Sequence, residues 1–115
     1  MFIMNEETGK KISTNTNTMS EKCVWSKNKP ISVFCAVPTS FDRATYPDDW
    51  YKGKTNTNDS IRKIDYINGV YSNISDLSYE SGQKIDVVLP SISNDDSYLI
   101  FKNKIDGFLW MLNLN

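Results

Sequence analysis

The sequence predicts an all-β, antiparallel protein, and three observations carry that expectation. Short apolar runs alternate with turn signals along the whole chain, and no long stretch holds a helical period. Aromatics make up 12% of the residues although the hydrophobic share is only 39%, a balance suited to pleated surfaces, where aromatic rings pack well. The clearest turn signals sit between pairs of apolar runs, where hairpins need them.

Taken in order, "FIMNEETGKKIS" reads as a hairpin whose turn ends at Gly9. "KCVWSKNKPISVFCAVP" is a second hairpin with Lys27–Pro30 as its turn, and Pro38 closes its second strand because proline cannot donate to a ladder. Thr39–Ser60 reads as a long loop. It contains Pro47 and Gly53, and its apolar residues Phe41, Tyr46, Trp50 and Tyr51 hold no helical stripe. "IRKIDYINGVYSNI" is a third hairpin around Asn68-Gly69, and "DLSYESGQK" is a loop. The strands "IDVVLPSIS", "YLIFKNK" and "FLWMLNL" follow, separated by turns at Asn94–Ser97 and Asp106-Gly107. The expected organisation is one β domain: a partial unit over 1–38, an inserted loop over 39–60 and a second unit over 61–115.

Composition narrows the function. A chain of 115 residues fits one domain or a piece of one. The net charge is −1 and the basic residues are scattered, which argues against a nucleic-acid surface. There is no histidine, so the commonest general base and zinc ligand are both missing. No apolar run approaches the roughly 18 residues that span a bilayer, and the start lacks the layout of an export signal. The chain alone therefore reads as cytoplasmic. Phe2–Met4 already looks like the interior of a strand, which fits a start inside a longer chain; were that longer chain exported, the cell envelope or an extracytoplasmic site would follow.

The chain also repeats itself. Matching Ser26 to Ser93 without gaps sets Trp25 over Ile92, Ile31 over Tyr98, Val33 over Ile100 and Phe34 over Phe101. Matching Gly9 to Gly69 sets Met4 over Ile64 and Asn5 over Asp65, and the ending sets Leu109 over Ile61 and Leu112 over Ile64. The strands then run three, four, one, two, three, four, one, two, three of a four-stranded unit. The motifs "W-S-x-(turn)-I-x-V-F" and "S-x-D-D-x-Y-L-I-F-x-N-K-x-D-G-x-L-W" resemble the TolB-type, WD-repeat-like β-propeller blade. "KCVWS…FCAVP", "YPDDWYKG" and "NKIDGFLWML" in this order are similar to the C-terminal part of bacterial propeller proteins. Neither turn carries the Ser-Pro-Asp-Gly of that repeat; they read "SKNK" and "SNDD". The resemblance implies about two blades of a partial propeller. Physical reasoning on burial agrees, because an inner blade strand is covered on both faces and reads as continuously apolar, as "FLWMLNL", "YLIF" and "VFCAV" do. On that reading Leu109–Leu114 is buried by its neighbours. A small β-sandwich is the alternative fold.

Candidate sites are few. Cys23 and Cys35 are equally distant from a turn near Lys29 and face each other if that turn is symmetrical, so either a disulfide or two packed thiols is expected. Asp48, Asp49, Trp50 and Tyr51 form the most chemical-looking stretch, suited to a sugar or, with Asp42, to Ca²⁺, or else to pinning their own loop. Asp95 and Asp96 are expected to serve their turn, and Trp25 and Trp110 to lie in the core. Asn58-Asp59-Ser60 and Asn73-Ile74-Ser75 match a glycosylation pattern that arises by chance in Asn-rich sequence. Nothing calls for a cofactor or a resident metal. The expected function is a non-catalytic propeller-type binding module whose partner is a protein, another polymer or further blades of its own protein. The alternatives are a fragment of the propeller of a larger enzyme such as a serine peptidase, with its nucleophile elsewhere, and a small carbohydrate-binding sandwich.

Overall fold

The structure is a computed structural model that describes residues 2–4, 11–13, 18, 20–28, 32–39, 56–66 and 68–114. Its described part is mostly antiparallel β, as the alternation of short apolar runs and turns predicts. Strands β1 (Phe2–Met4) and β2 (Lys11–Ser13) pair as a hairpin. A single 3-10 turn, Ser20–Lys22, leads into β3 (Cys23–Trp25). Strands β4 (Ser32–Pro38), β5 (Asp59–Asp65) and β6 (Val70–Asp76) follow, and β3-β4-β5-β6 form one four-stranded meander. A helix α1 (Leu77–Ser81) then connects to the three-stranded meander β7 (Val87–Ile92), β8 (Tyr98–Asn103) and β9 (Leu109–Asn113).

Three local readings need correction. Residues 77–81 are helical where a loop was expected. Five residues are too few to show a helical period, and the stop comes from Gly82, whose φ of 74° lets its N–H bond the Ser78 carbonyl at 2.9 Å. Strand β5 begins at Asp59, inside the segment expected to be loop, because Asp59 and Ser60 pair with Pro38 and Val37. The first sheet thus takes strands from both sides of segment 39–58. Third, β8 and β9 are not covered on both faces. Their burial alternates, whereas β4 is buried along its whole length.

The pleat divides each strand between two faces. In the first sheet Val33, Cys35, Val37 and Ile64 form one buried cluster. Ala36 and Ile61, on the opposite face, meet Val87, Leu99 and Phe101 of the second sheet, with Ile85 just before β7 and Leu77 of α1 beside them. Trp110, Leu112 and Leu114 close the margin of that main core. Fully burying such a side chain is worth roughly 1.5–3 kcal/mol, so the joint between the sheets is the main source of cohesion in the described residues.

The repeat acquires a different register in three dimensions. Ser26 N–H bonds the Ser32 carbonyl and Ser93 N–H bonds the Tyr98 carbonyl, each at 3.0 Å, so the second turn is one residue shorter. Beyond it, Val33 corresponds to Leu99, Phe34 to Ile100 and Cys35 to Phe101. The gapless matches of Val33 with Ile100 and Phe34 with Phe101 are therefore wrong by one position, while Asn5, Gly9 and Ile31 lie outside the described residues. The matches of Ile61 with Leu109 and Ile64 with Leu112 are kept, because Ile64 pairs with Val33 and Leu112 with Leu99. A slip of one residue moves every side chain to the other face, so the correction decides how the sheets relate. With it, Leu99 and Phe101, which face the first sheet, correspond to Val33 and Cys35, which face away from the second. The two sheets stack head to tail.

Candidate functional site: a locked joint and the face it leaves open

Two polar contacts fix the stack. The first is sealed inside it. Lys22, Asp59 and Asp86 are each fully buried, and the Lys22 ammonium donates to Asp59 Oδ2 at 2.6 Å, Asp86 Oδ1 at 2.7 Å and the Val87 carbonyl at 2.8 Å. Three segments meet there: the 3-10 turn, the start of β5 and the entry to β7. Thr57 donates its N–H to Asp86 Oδ2 and its hydroxyl to Oδ1, both at 3.0 Å. Val87 N–H donates to Asp59 Oδ2 at 2.8 Å, and Asp86 N–H donates to Asn103 Oδ1 at 3.1 Å. Asp59 Oδ1 alone makes no hydrogen bond. Burial pushes the Asp59 carboxyl above its ordinary value of 3.8, against the Lys22 charge and the donors from Lys22 and Val87. No substrate reaches this group of side chains. Its chemistry is to lock one geometry between the sheets, since breaking a buried ion pair leaves an uncompensated charge.

The second contact lies at the rim, where the equivalent turns of the two sheets touch. Asp96, left-handed at φ 61°, accepts from the Ser26 hydroxyl, from Lys27 N–H at 2.9 Å and from Asn28 N–H at 3.2 Å. Asn28 Nδ2 returns a bond to the Asp95 carbonyl at 2.8 Å. Desolvation opposes ionisation of Asp96, but the Ser26, Lys27 and Asn28 donors and the Lys63 charge outweigh it and hold its carboxyl below 3.8. Asp95 does serve its own turn, accepting from Ser93 Oγ at 3.0 Å and Ser97 N–H at 3.1 Å. Asp96 does more than turn duty: it ties one sheet to the next.

The joint leaves one face of the second sheet uncovered. Pairing sets Ile100 beside Met111 and Lys102 beside Leu109, and all four side chains point away from the first sheet. Leu109 is 76% exposed and Met111 64%, with Ile100 and Tyr98 about 40% exposed on the same face. The expectation that Leu109–Leu114 is buried therefore fails on this side. Trp110, Leu112 and Leu114 are half-buried against the core, whereas Leu109 and Met111 meet solvent. Their first-sheet equivalents lie on the face that carries Ala36 and Ile61, and there a whole sheet covers them.

Of the residues singled out from sequence, Asp42, Asp48, Asp49, Trp50 and Tyr51 lie outside the described residues. Cys23 and Cys35 are direct register partners on β3 and β4, disulfide-bonded with their sulfurs 2.16 Å apart. Trp110 lies against the core as expected, but Trp25 is 48% exposed and makes a T-shaped ring contact with Tyr66, 5.9 Å between centroids. Sequence reasoning missed Lys22, Asp59 and Asp86. Asp59 stood inside a chance glycosylation pattern, and no local signal marks three charges that converge from 37 and 64 residues apart. Comparison with protein-family models, with curated proteins and with solved structures finds no match to this chain.

Proposed function

We propose that the chain is a non-catalytic interaction module made of propeller-type blades, with the open face of the second sheet as its contact surface. The single observation that carries this reading is the head-to-tail stack. A sandwich closes by burying one face of each of two sheets, so the equivalent faces of a repeated sheet meet. Here non-equivalent faces meet, the first sheet has buried residues on both faces, and the second keeps one open. That is the relation an open-ended series of blades requires. The TolB-type resemblance of the turns and of strand three points the same way. The non-catalytic part is supported by the charges of the joint, which are committed to structure: Lys22, Asp59 and Asp86 are sealed, and Asp96 spends both carboxylate oxygens on the neighbouring turn.

An experimental structure tests the reading through the operation that superposes β3-β4-β5 on β7-β8-β9. Four to eight blades in a ring need a rotation of roughly 45–90° between neighbours. An operation in that range supports blades. A near-twofold between the sheets makes the pair a sandwich and ends the proposal.

A further inference from the structure

We infer that the Cys23–Cys35 disulfide is a redox-controlled latch on the joint between the sheets. Reducing it frees β3 and lets Lys22 leave its sealed site, while the rest of the first sheet stays paired. The inference concerns the joint itself and stands whether or not the two sheets are blades.

Strand β3 is the most weakly paired strand of its sheet. It meets β4 at three positions, where β5 meets β4 at seven. Two clamps hold it, one on each face. Toward the second sheet, Lys22, the residue just before β3, reaches Asp59, Asp86 and the Val87 carbonyl, and Val24 packs against the main core. On the opposite face Cys23 is bonded to Cys35 among Val33, Val37 and Ile64. Lys22 and Cys23 are neighbours in the chain, so the disulfide fixes the backbone from which the ammonium reaches its carboxylates. A sealed lysine has given up its hydration and its rotamer freedom, and it regains both on leaving. Its departure also lets water in, so Asp59 and Asp86 are not left buried without a partner. Three register pairs set little against this once the covalent clamp is gone. Beyond β3 the chain is held again at Ser26, by the Ser32 carbonyl and Asp96, and the movable piece ends there.

Cys35 is sealed but Cys23 is only partly buried, so a small thiol reaches the bond from the Cys23 side. A reductant thiolate attacks Cys23 Sγ, forming a mixed disulfide and expelling Cys35 as a thiolate, which takes up a proton. A second reductant thiolate attacks the reductant's sulfur in that mixed disulfide and releases Cys23 in the same way. The protein disulfide gains two electrons and becomes two thiols, and two reductant thiols become one disulfide. The joint is thus latched in oxidising surroundings and unlatched in a thiol-rich one.

Trypsin reads the latch. The bond after Lys22 is cut only when that segment leaves the joint, and the bond after Arg62, in the inner strand β5, only when the sheet itself opens. The full chain is reduced with excess dithiothreitol, desalted under nitrogen to spare the protease, and digested briefly without denaturant. Mass spectrometry counts the thiols and follows both cuts. The ratio of cleavage after Lys22 to cleavage after Arg62 should rise at least about tenfold on reduction and fall back on reoxidation, because cleavage tracks the open population. Cys23→Ser, which cannot form the bond, should show the raised ratio without reductant and ignore its addition. Both cuts rising together overturn the inference, since the bond would then support the whole sheet and latch nothing. So does an unchanged ratio, whether in a fully reduced chain or because the folded chain keeps its bond against dithiothreitol. Should Cys23→Ser fail to fold, the response of the parent chain still decides.

Discussion

Ile61 and Leu109 hold the same place in their sheets. Each lies on the third strand, Ile61 opposite Ala36 and Leu109 opposite Lys102, and Ala36 and Lys102 are themselves equivalent. Yet Ile61 is sealed and Leu109 is 76% exposed. Neither side chain chemistry nor strand position separates them; the next sheet does. The first sheet is followed by a second that covers it, and the second has no such cover in the described residues. What differs along the chain is therefore the neighbour and not the plan of the sheet. The partner strand registers the same fact, as Ala36 suits a covered face and Lys102 an open one.

The largest effect should come from the buried joint that makes the first sheet covered. Lys22→Met removes the cation shared by Asp59 and Asp86 and leaves two carboxylates facing each other in a sealed site. A loss of about 3–5 kcal/mol is expected in urea unfolding, and a loss under about 1 kcal/mol would mean the joint does not hold the sheets.

The disulfide is a second difference, because Phe101 stands in the second sheet where Cys35 stands in the first. Reducing Cys23–Cys35, which closes a loop with a sequence separation of 12, should lower stability by roughly 3 kcal/mol. Urea unfolding with and without reductant measures it, and unchanged midpoints would contradict the bond's role.

Acid separates the two inter-sheet contacts by sign. The Asp59 carboxyl is raised by burial, so its contribution to stability is complete below 3.8 and is lost as pH rises through its raised folded value. The Asp96 carboxyl is lowered, so its contribution is present above 3.8 and is lost as pH falls through its lowered folded value. Acidification from neutrality should first raise the melting temperature through Asp59 and then reduce it through Asp96. Asp59→Asn should abolish the rise and keep the fall; a profile identical to the parent would show that Asp59 does not titrate in this way.

The smallest effect concerns strand one of the second sheet, where a bulge between Val88 and Ser91 turns Leu89 outward with φ at 53°. A left-handed leucine costs roughly 1–2 kcal/mol, which glycine avoids. Because Leu89 is exposed, Leu89→Gly should gain up to about 1 kcal/mol in thermal unfolding. A lower melting temperature would show that the leucine side chain has a contact worth more than the strain.

Much of this fold can be read from the chain because its signals are local. The Asn68-Gly69 and Asp106-Gly107 turns, Pro38 at the end of β4 and the apolar runs place the hairpins, and strand three is matched correctly through Ile61 and Leu109. The failures share a cause as well. A turn shortened by one residue leaves the apolar character of β4 and β8 intact but exchanges their faces, so a gapless match looks sound while being out of phase. Continuous apolar runs such as "YLIF" and "FLWML" do not say whether both sides are covered, since cover belongs to the neighbour. Lys22, Asp59 and Asp86 become a unit only when three distant segments meet. For the acidic and aromatic stretch at 48–51, the described residues decide nothing.

The equivalence of Ile61 and Leu109 allows one direct measurement: thermal unfolding of Ile61→Lys and Leu109→Lys in dilute protein. The same lysine enters equivalent places in two related sheets. If the first sheet is covered and the second open, Ile61→Lys should lose at least about 3 kcal/mol or fail to fold, whereas Leu109→Lys should stay within about 0.5 kcal/mol of the parent. Equal losses at the two positions, or the larger loss at Leu109, would contradict a head-to-tail stack that ends in an open face.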